Sequence, residues 1–360
     1  MPQYRRGATS RQAHVALPAG TVEEEHGREG FYGRVSHLYR ANPPTGWTSI
    51  DGTLRPRALD CNDLAPGDAR ALRTELLVND DVRIGAWQLD EDLPFFYRNA
   101  DGDDLLFVHR GQGVLETDYG PLDFGAGDYL VVPRGTTYRP TVSAPTYLYT
   151  IQTTGEVHPP DRGLLGPNAL WDESVLRIPD VDPHDESGDF EVVIKREGEL
   201  TSVRYPFHPL DVVGWKGDLT PFALSVRDIR PVMSPGYHLP PSAHTTFQAD
   251  GAVVCTFLPR PLESDPEAVK VPFYHRNIDY DETIFYHEGD FFSRSGIHAG
   301  MLTWHPQGIH HGPHPKAVKA VEDKQRTDEI AVMLDARRPL RLTGAAQQVE
   351  AVDYWASWQE

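Results

Sequence analysis

The chain has 360 residues, with 53 acidic against 34 basic side chains and a formal net charge of −19; nucleic acid and anionic membrane surfaces are therefore not expected as partners, because binding phosphates needs a basic face. The length points to two domains, and 31 Gly with 31 Pro favour short strands and turns over long helices. No run of about 18 apolar residues marks a membrane span, MPQYRRGATSRQAHVALPAG has no apolar signal core, and Cys61 and Cys255 form neither a CxxC motif nor a disulfide framework, so a reducing cytoplasm is expected.

In chain order, residues 1–60 carry turn signals (NPPTGW, DGTLRPR) and few apolar runs, and read as an extended arm packed on another part of the molecule. Over 61–158, the segments DVRIGAWQL, DLLFVHRG, GVLETDYG, DYLVVPRG and TYLYTIQT follow one another, rich in branched and aromatic residues and separated by Gly, Pro or Asp. Each predicts a strand. The Pro- and Asp-rich stretch 159–189 predicts a connector. Strand-like segments resume over 190–335 (FEVVIKREG, LTSVRYPF, AVVCTFLP, TIFYHEG, AGMLTWHP), with a helix expected near KAVKAVEDKQRTDE, and 336–360 form a tail. The expected class is mostly β.

The two β-rich halves repeat one another. YRNADGDDLLFVHRG (97–111) aligns without gaps on HRNIDYDETIFYHEG (275–289), with seven identities: Arg98, Asn99, Asp101, Asp103, Phe107, His109 and Gly111 match Arg276, Asn277, Asp279, Asp281, Phe285, His287 and Gly289. GDYLVVPRGTTY (127–138) and GMLTWHPQGIHH (300–311) then share G-x5-P-x-G-x2.

These blocks resemble the two halves of the cupin motif, G-x5-H-x-H-x3–4-E-x6-G and G-x5-P-x-G-x2-H-x3-N. The resemblance implies two cupin-type β-barrel (jelly-roll) domains, the C-terminal one metal-binding. There, His275 takes the first histidine slot, Asn277 replaces the second, Glu282 follows, and His311 ends the second block, with Pro315 where the motif has Asn. Two imidazoles and one carboxylate on one face of an ion suit Fe(II) and leave positions for substrate and O2. In the first copy the same slots hold Tyr97, Asp104 and Tyr138, so that barrel is expected to keep the scaffold and lack the metal.

VVGWKGDLTPFALSVRDIRPV, VPFYHRN, LTWHPQGIHHGPHP and the closing YWASWQE are similar to the catalytic half of the homogentisate 1,2-dioxygenase family, and RNADGDDLLFVHRGQGVLETDYG resembles its metal-free N-terminal half. The resemblance implies cleavage of an electron-rich aromatic ring with Fe(II) and O2, a small aromatic substrate of aromatic amino-acid catabolism, and a homo-oligomer (trimer or hexamer). It gives His275, Glu282 and His311 as iron ligands, His305 as a substrate-contacting histidine and His238 as the candidate general base for the phenol proton. Phe291 stands where a substrate-contacting tyrosine is expected, which makes a different ring, such as an aminophenol or another hydroquinone, an alternative substrate. Asn277 is a candidate substrate contact or, like Asn99, scaffold; His314 is a candidate at the rim of the site. His310 should face away from His311, His287 and Arg276 read as scaffold because the first copy repeats them, Cys255 reads as core, and His244 and His298 read as loop or solvated residues. A non-catalytic bicupin, and an isomerase or decarboxylase using Mn or Zn, are further alternatives.

Overall fold

The computed structural model describes residues 4–65, 72–270, 273–291, 294, 296–321 and 324–359. The alternation along its strands sorts side chains between two interiors. In Asp103–Arg110, Asp128–Val132 and Thr146–Thr153, the residues Leu106, Val108, Leu130, Val132 and Leu148 point into an N-terminal barrel core with Trp87, Tyr97 and Tyr138. Their neighbours Leu105, Phe107, Tyr129, Val131, Tyr149 and Ile151 point the other way, into a core shared with Phe247, Phe285, Leu302 and Val332 of the C-terminal half. A strand covered on both faces has to be apolar at nearly every position, which is why these segments read as continuous hydrophobic runs.

Two sheets thus lie back to back. The N-terminal one has seven antiparallel strands in the order Phe222–Ser225, Asp128–Val132, Asp103–Arg110, Thr146–Thr153, Val82–Leu89, Thr74–Val78 and Arg341–Leu342. The C-terminal one has six: Thr245–Ala249, Ala252–Phe257, Asp328–Ala336, Asp281–Asp290, Met301–His305 and Arg57–Asp60. Each is closed on its far side by a smaller layer. Phe96–Asn99, Thr137–Val142, Gln112–Thr117, Leu122–Gly125 and the hairpin Ser187–Arg196/Glu199–Phe207 cover the first; Tyr274–Asn277 and the hairpin Val22–Gly27/Val35–Arg40 cover the second.

The hairpins reveal a wider repeat than the sequence showed. Ser187–Arg196 runs parallel to Phe96–Asn99 in the first barrel as Val22–Gly27 runs parallel to Tyr274–Asn277 in the second. The arm therefore completes the distant C-terminal barrel. The strands also correct the expected boundary at residue 190: Ser187–Arg196 and Phe222–Ser225 pair with N-terminal strands, and Glu199–Phe207 pairs in turn with Ser187–Arg196, because that barrel's edges need partners and those segments reach them. The expected helix is also shorter. Pro315–Ala320 is helical, but Asp328–Ala336 pairs along Asp281–Asp290 as a strand. No helix among the described residues is long and apolar enough to cross a membrane.

The repeated residues have physical reasons. Asp103 accepts the N–H groups of Arg134 (2.7 Å) and Val157 (2.8 Å); Asp281 likewise accepts those of Gln307 and Leu340 (2.8 Å each), so each copy anchors its own P-x-G turn. His109 and His287 meet each other across the shared core, Nδ1 to Nδ1 at 3.0 Å. Burial pushes them down to about 3 and about 4, so the pair is neutral, one ring donating and the other accepting. Gly289 has φ +104°, and a side chain there would strike the Asp328 carbonyl.

Candidate metal centre and its pocket

His275, on Tyr274–Asn277, and His311 exchange backbone hydrogen bonds of 2.9 and 3.1 Å across an isolated bridge, which brings their rings to 3.9 Å between centroids. Glu282, on Asp281–Asp290, lies between them, its Oε2 at 3.4 Å from His275 Nε2 and 3.6 Å from His311 Nε2. All three residues are buried. Each imidazole turns its Nδ1 toward a backbone carbonyl, His275 to Phe273 (3.1 Å) and His311 to Ile309 (3.4 Å). That leaves both Nε2 atoms buried without a hydrogen-bond partner. Burial and the neighbouring His275 push His311 down to about 3, which keeps it neutral. Burial pushes the Glu282 carboxyl up, but the adjacent His311 and the 2.8 Å bond that His305 donates outweigh it, and it sits well below the usual carboxylate range. Two neutral imidazoles and one carboxylate, with lone pairs converging and otherwise unused, fit a divalent cation.

The first barrel shows what that scaffold does without such a donor set. Arg73 projects into the corresponding place, donating from Nη1 to Asp104 Oδ1 and from Nη2 to Tyr138 Oη, both at 2.6 Å. Tyr138 and Asn99 each donate to Asp104 at 2.8 Å, and the guanidinium lies 5.6 Å from the centroid of the Tyr97 ring. A fixed cation with its own hydrogen bonds occupies the position, and the phenols, which burial holds protonated, stay neutral around it.

Beside the triad is a pocket whose walls include His275, Glu282, Phe273, Phe257, Ile284 and Leu239. His238 Nδ1 lies 2.8 Å from Glu263 Oε1; a carboxylate only accepts, so His238 donates there and keeps Nε2 as an acceptor. Burial pushes Glu263 up, yet the His238 bond outweighs it and the carboxyl is depressed. Arg260, Arg294 and Glu329 also line the pocket. Arg260 is pulled down by burial, Glu329 is pushed up by burial, and Arg260 Nη1 is buried without a partner.

Two family models match the chain, "Homogentisate 1,2-dioxygenase N-terminal" over residues 73–226 and "Homogentisate 1,2-dioxygenase C-terminal" over residues 238–360. The chain belongs to the homogentisate 1,2-dioxygenase family. A protein of Saccharolobus solfataricus named "Putative dioxygenase" is 38% identical, the alignment covering 99% of this chain and 98% of that one. Homogentisate 1,2-dioxygenase of Nitrobacter hamburgensis is 28% identical over 73% of this chain, but the match spans only 62% of that enzyme. Among solved structures, a cupin 2 conserved barrel domain protein from Leptotrichia buccalis aligns with 78% of this chain and 96% of its own, at 9% identity and a TM-score of 0.34.

Several of the candidate substrate contacts do not line this pocket among the described residues. His305 is fully buried behind the carboxylate, donating from Nδ1 to Glu282 Oε1 at 2.8 Å with Tyr354 Oη 3.4 Å from Nε2. Phe291 packs edge-on against Tyr286, and it is Tyr286 that reaches the pocket. His314 lies against Trp358 and Ser357, away from the pocket lining. The side chain of Asn277 lies outside those described. His244 corrects the expectation of a solvated loop residue: it is buried and lines the pocket. His310 faces away from His311, with Nε2 2.9 Å from Glu24, and Arg276 shares that outer carboxylate at 3.6 Å. Sequence reasoning missed Glu263, Arg260, Arg294 and Glu329, which belong to neither repeated block. Tyr354 lies in the closing YWASWQE, whose family likeness was the one available signal.

Proposed function

We propose that the protein is a ring-cleaving dioxygenase that holds Fe(II) on His275, Glu282 and His311 and opens an electron-rich phenolic ring bearing a carboxylate, homogentisate or a close analogue. The observation that carries this reading is the pair of orphaned Nε2 atoms aimed, with Glu282 Oε2, at one point beside the pocket. Held by these three residues, ferrous iron would supply the redox chemistry that joins a phenolic substrate to O2. The remaining work falls to the chain. His305 fixes the carboxylate through its 2.8 Å bond, leaving the other oxygen to face the two rings. His238 is poised to take the phenol proton on Nε2, and the charge that develops is balanced by Glu263. Phe257, Phe273 and Ile284 exclude water around a ring, while Arg260 and Arg294 supply a cationic end for a carboxylate. The pocket has about 70 Å³ of free space, less than the ~150 Å³ that accommodates benzene in an engineered cavity, so its walls must give way as a substrate enters.

The test is anaerobic loading with ferrous ion followed by oxygen-electrode assays. Homogentisate and gentisate should drive oxygen uptake, whereas 2-aminophenol and carboxyl-free hydroquinone should do so far more slowly. His311→Ala should abolish both iron retention and turnover. Iron-loaded protein that consumes no oxygen with any of these phenols would leave a binding bicupin as the better reading.

A further inference from the structure

We infer that His14, Glu25 and His37 form a second divalent-cation site, best suited to zinc, that cross-links the N-terminal arm where it lies over the C-terminal barrel. The strand Val22–Gly27 carries three consecutive glutamates, all buried. Alternation sends Glu24 to the outer face, where Arg40, Arg276 and His310 meet it. Glu23 and Glu25 share the face of His275, the residue in register with Glu25. There they meet no arginine or lysine among the described residues; their charged neighbours are only His14 and His37. Two nearly dry carboxylates need two positive charges, from two imidazolium ions or from one divalent cation held by neutral rings.

The distances at His14 favour the divalent cation. His14 Nδ1 lies 2.7 Å from Glu23 Oε2, a hydrogen bond in which the ring donates. Its other nitrogen, Nε2, is 3.9 Å from Glu25 Oε2, too long for the charge-assisted bond an imidazolium would make. His37 Nε2 donates to the same oxygen at 3.1 Å, so a cation bound here takes the place of that proton. One donor atom from each of His14, Glu25 and His37 falls within 4.8 Å of the other two. The two measured separations bracket the edge of about 3.3 Å expected for a tetrahedron with zinc–ligand bonds of ~2.0–2.1 Å. They also resemble the 3.4 and 3.6 Å at His275, Glu282 and His311. Glu23 holds the outer nitrogen of His14 in the manner of a carboxylate that orients a ligating imidazole, and its second oxygen, Oε1, is buried without a partner. His14 is stacked on Phe273 (4.1 Å between centroids, 10° between planes), two residues before His275. A cation here ties residue 14 to both strands of the arm hairpin, against the barrel wall that carries the first triad.

The inference does not depend on the reaction proposed above. Chelator-stripped full-length protein would be reconstituted with zinc, and bound metal counted by mass spectrometry after gel filtration. Wild type should hold two zinc ions per chain. His14→Ala/His37→Ala should hold one, Glu282→Gln should hold one, and the combined variant none. Glu25→Gln, which keeps the shape of the side chain, should weaken the second site at least 100-fold, and Glu23→Gln by 10–100-fold. Crystals of the zinc-loaded wild type should give an anomalous peak between His14 Nε2 and His37 Nε2. Wild type holding a single zinc that Glu282→Gln removes, or two that survive loss of both His14 and His37, would overturn the inference, as would crystals with no peak between those rings.

Discussion

Replacing Arg73 by Met tests whether the first barrel is held by a cation of its own where the second offers a metal centre. The guanidinium and Asp104 are nearly free of solvent, with side-chain exposures of 9% and 1%. Their 2.6 Å contact therefore gains little from water and is little screened by salt. Without the guanidinium, Asp104 keeps only the bonds from Tyr138 and Asn99, and a buried charge stripped of its counterion costs about 3–5 kcal/mol. At roughly 2–4 °C per kcal/mol for a unit of this size, the melting transition should fall by about 6–20 °C. Asp104→Asn alone should cost a similar amount, since it strands the guanidinium. The double variant Arg73→Met/Asp104→Asn should recover most of the loss, so the coupling energy in a double-mutant cycle should exceed the cost of either single variant, about 3–5 kcal/mol. Metal content at His275, Glu282 and His311 should be unchanged throughout. Calorimetry or urea titration with metal analysis measures all three. Single variants within about 1 kcal/mol of wild type, or a double variant as unstable as the sum of the singles, would refute the account.

Other expectations follow from the same contacts. His109 and His287 are held at about 3 and about 4 against 6.5 for a free imidazole, so the unfolded chain binds more protons below 6.5 and stability falls as pH drops from there toward 4. Each group contributes a slope of up to ~1.4 kcal/mol per pH unit in that window, and a urea midpoint that is flat from pH 7 to 5 would contradict it. His238→Ala should lower kcat/KM by about 10²–10⁴-fold while leaving bound iron unchanged; loss of iron would make it structural. Arg260→Met should raise KM for a carboxylated phenol by roughly 10–100-fold, the worth of a charge-assisted hydrogen bond, with little effect on a carboxyl-free analogue.

Much of the architecture could be read locally. The apolar runs marked most of the large-sheet strands, and seven shared residues at one fixed offset exposed the duplication. Their roles in the fold explain their recurrence: Asp103 and Asp281 anchor backbone turns, and His109 and His287 face each other across the barrel contact. Neither depends on a metal, so both copies retain them. The candidate ligands were legible for the opposite reason, as differences between copies: His275, Glu282 and His311 against Tyr97, Asp104 and Tyr138. The helix expectation failed because a charged, helix-favouring stretch gives way at residue 328 to a strand paired along Asp281–Asp290.

By itself, then, the sequence determined most of the large-sheet strands, that the unit occurs twice, and which copy carries imidazoles at the site, because periodicity and spacing are properties of neighbouring residues. Tertiary structure decided which barrel the arm completes, that Arg73 fills the first site, that His305 stands behind Glu282, and that Arg260 and Arg294 meet at the pocket. Those facts depend on contacts between residues far apart in the chain, set by which sheet edges and buried charges find partners, and no local pattern records them.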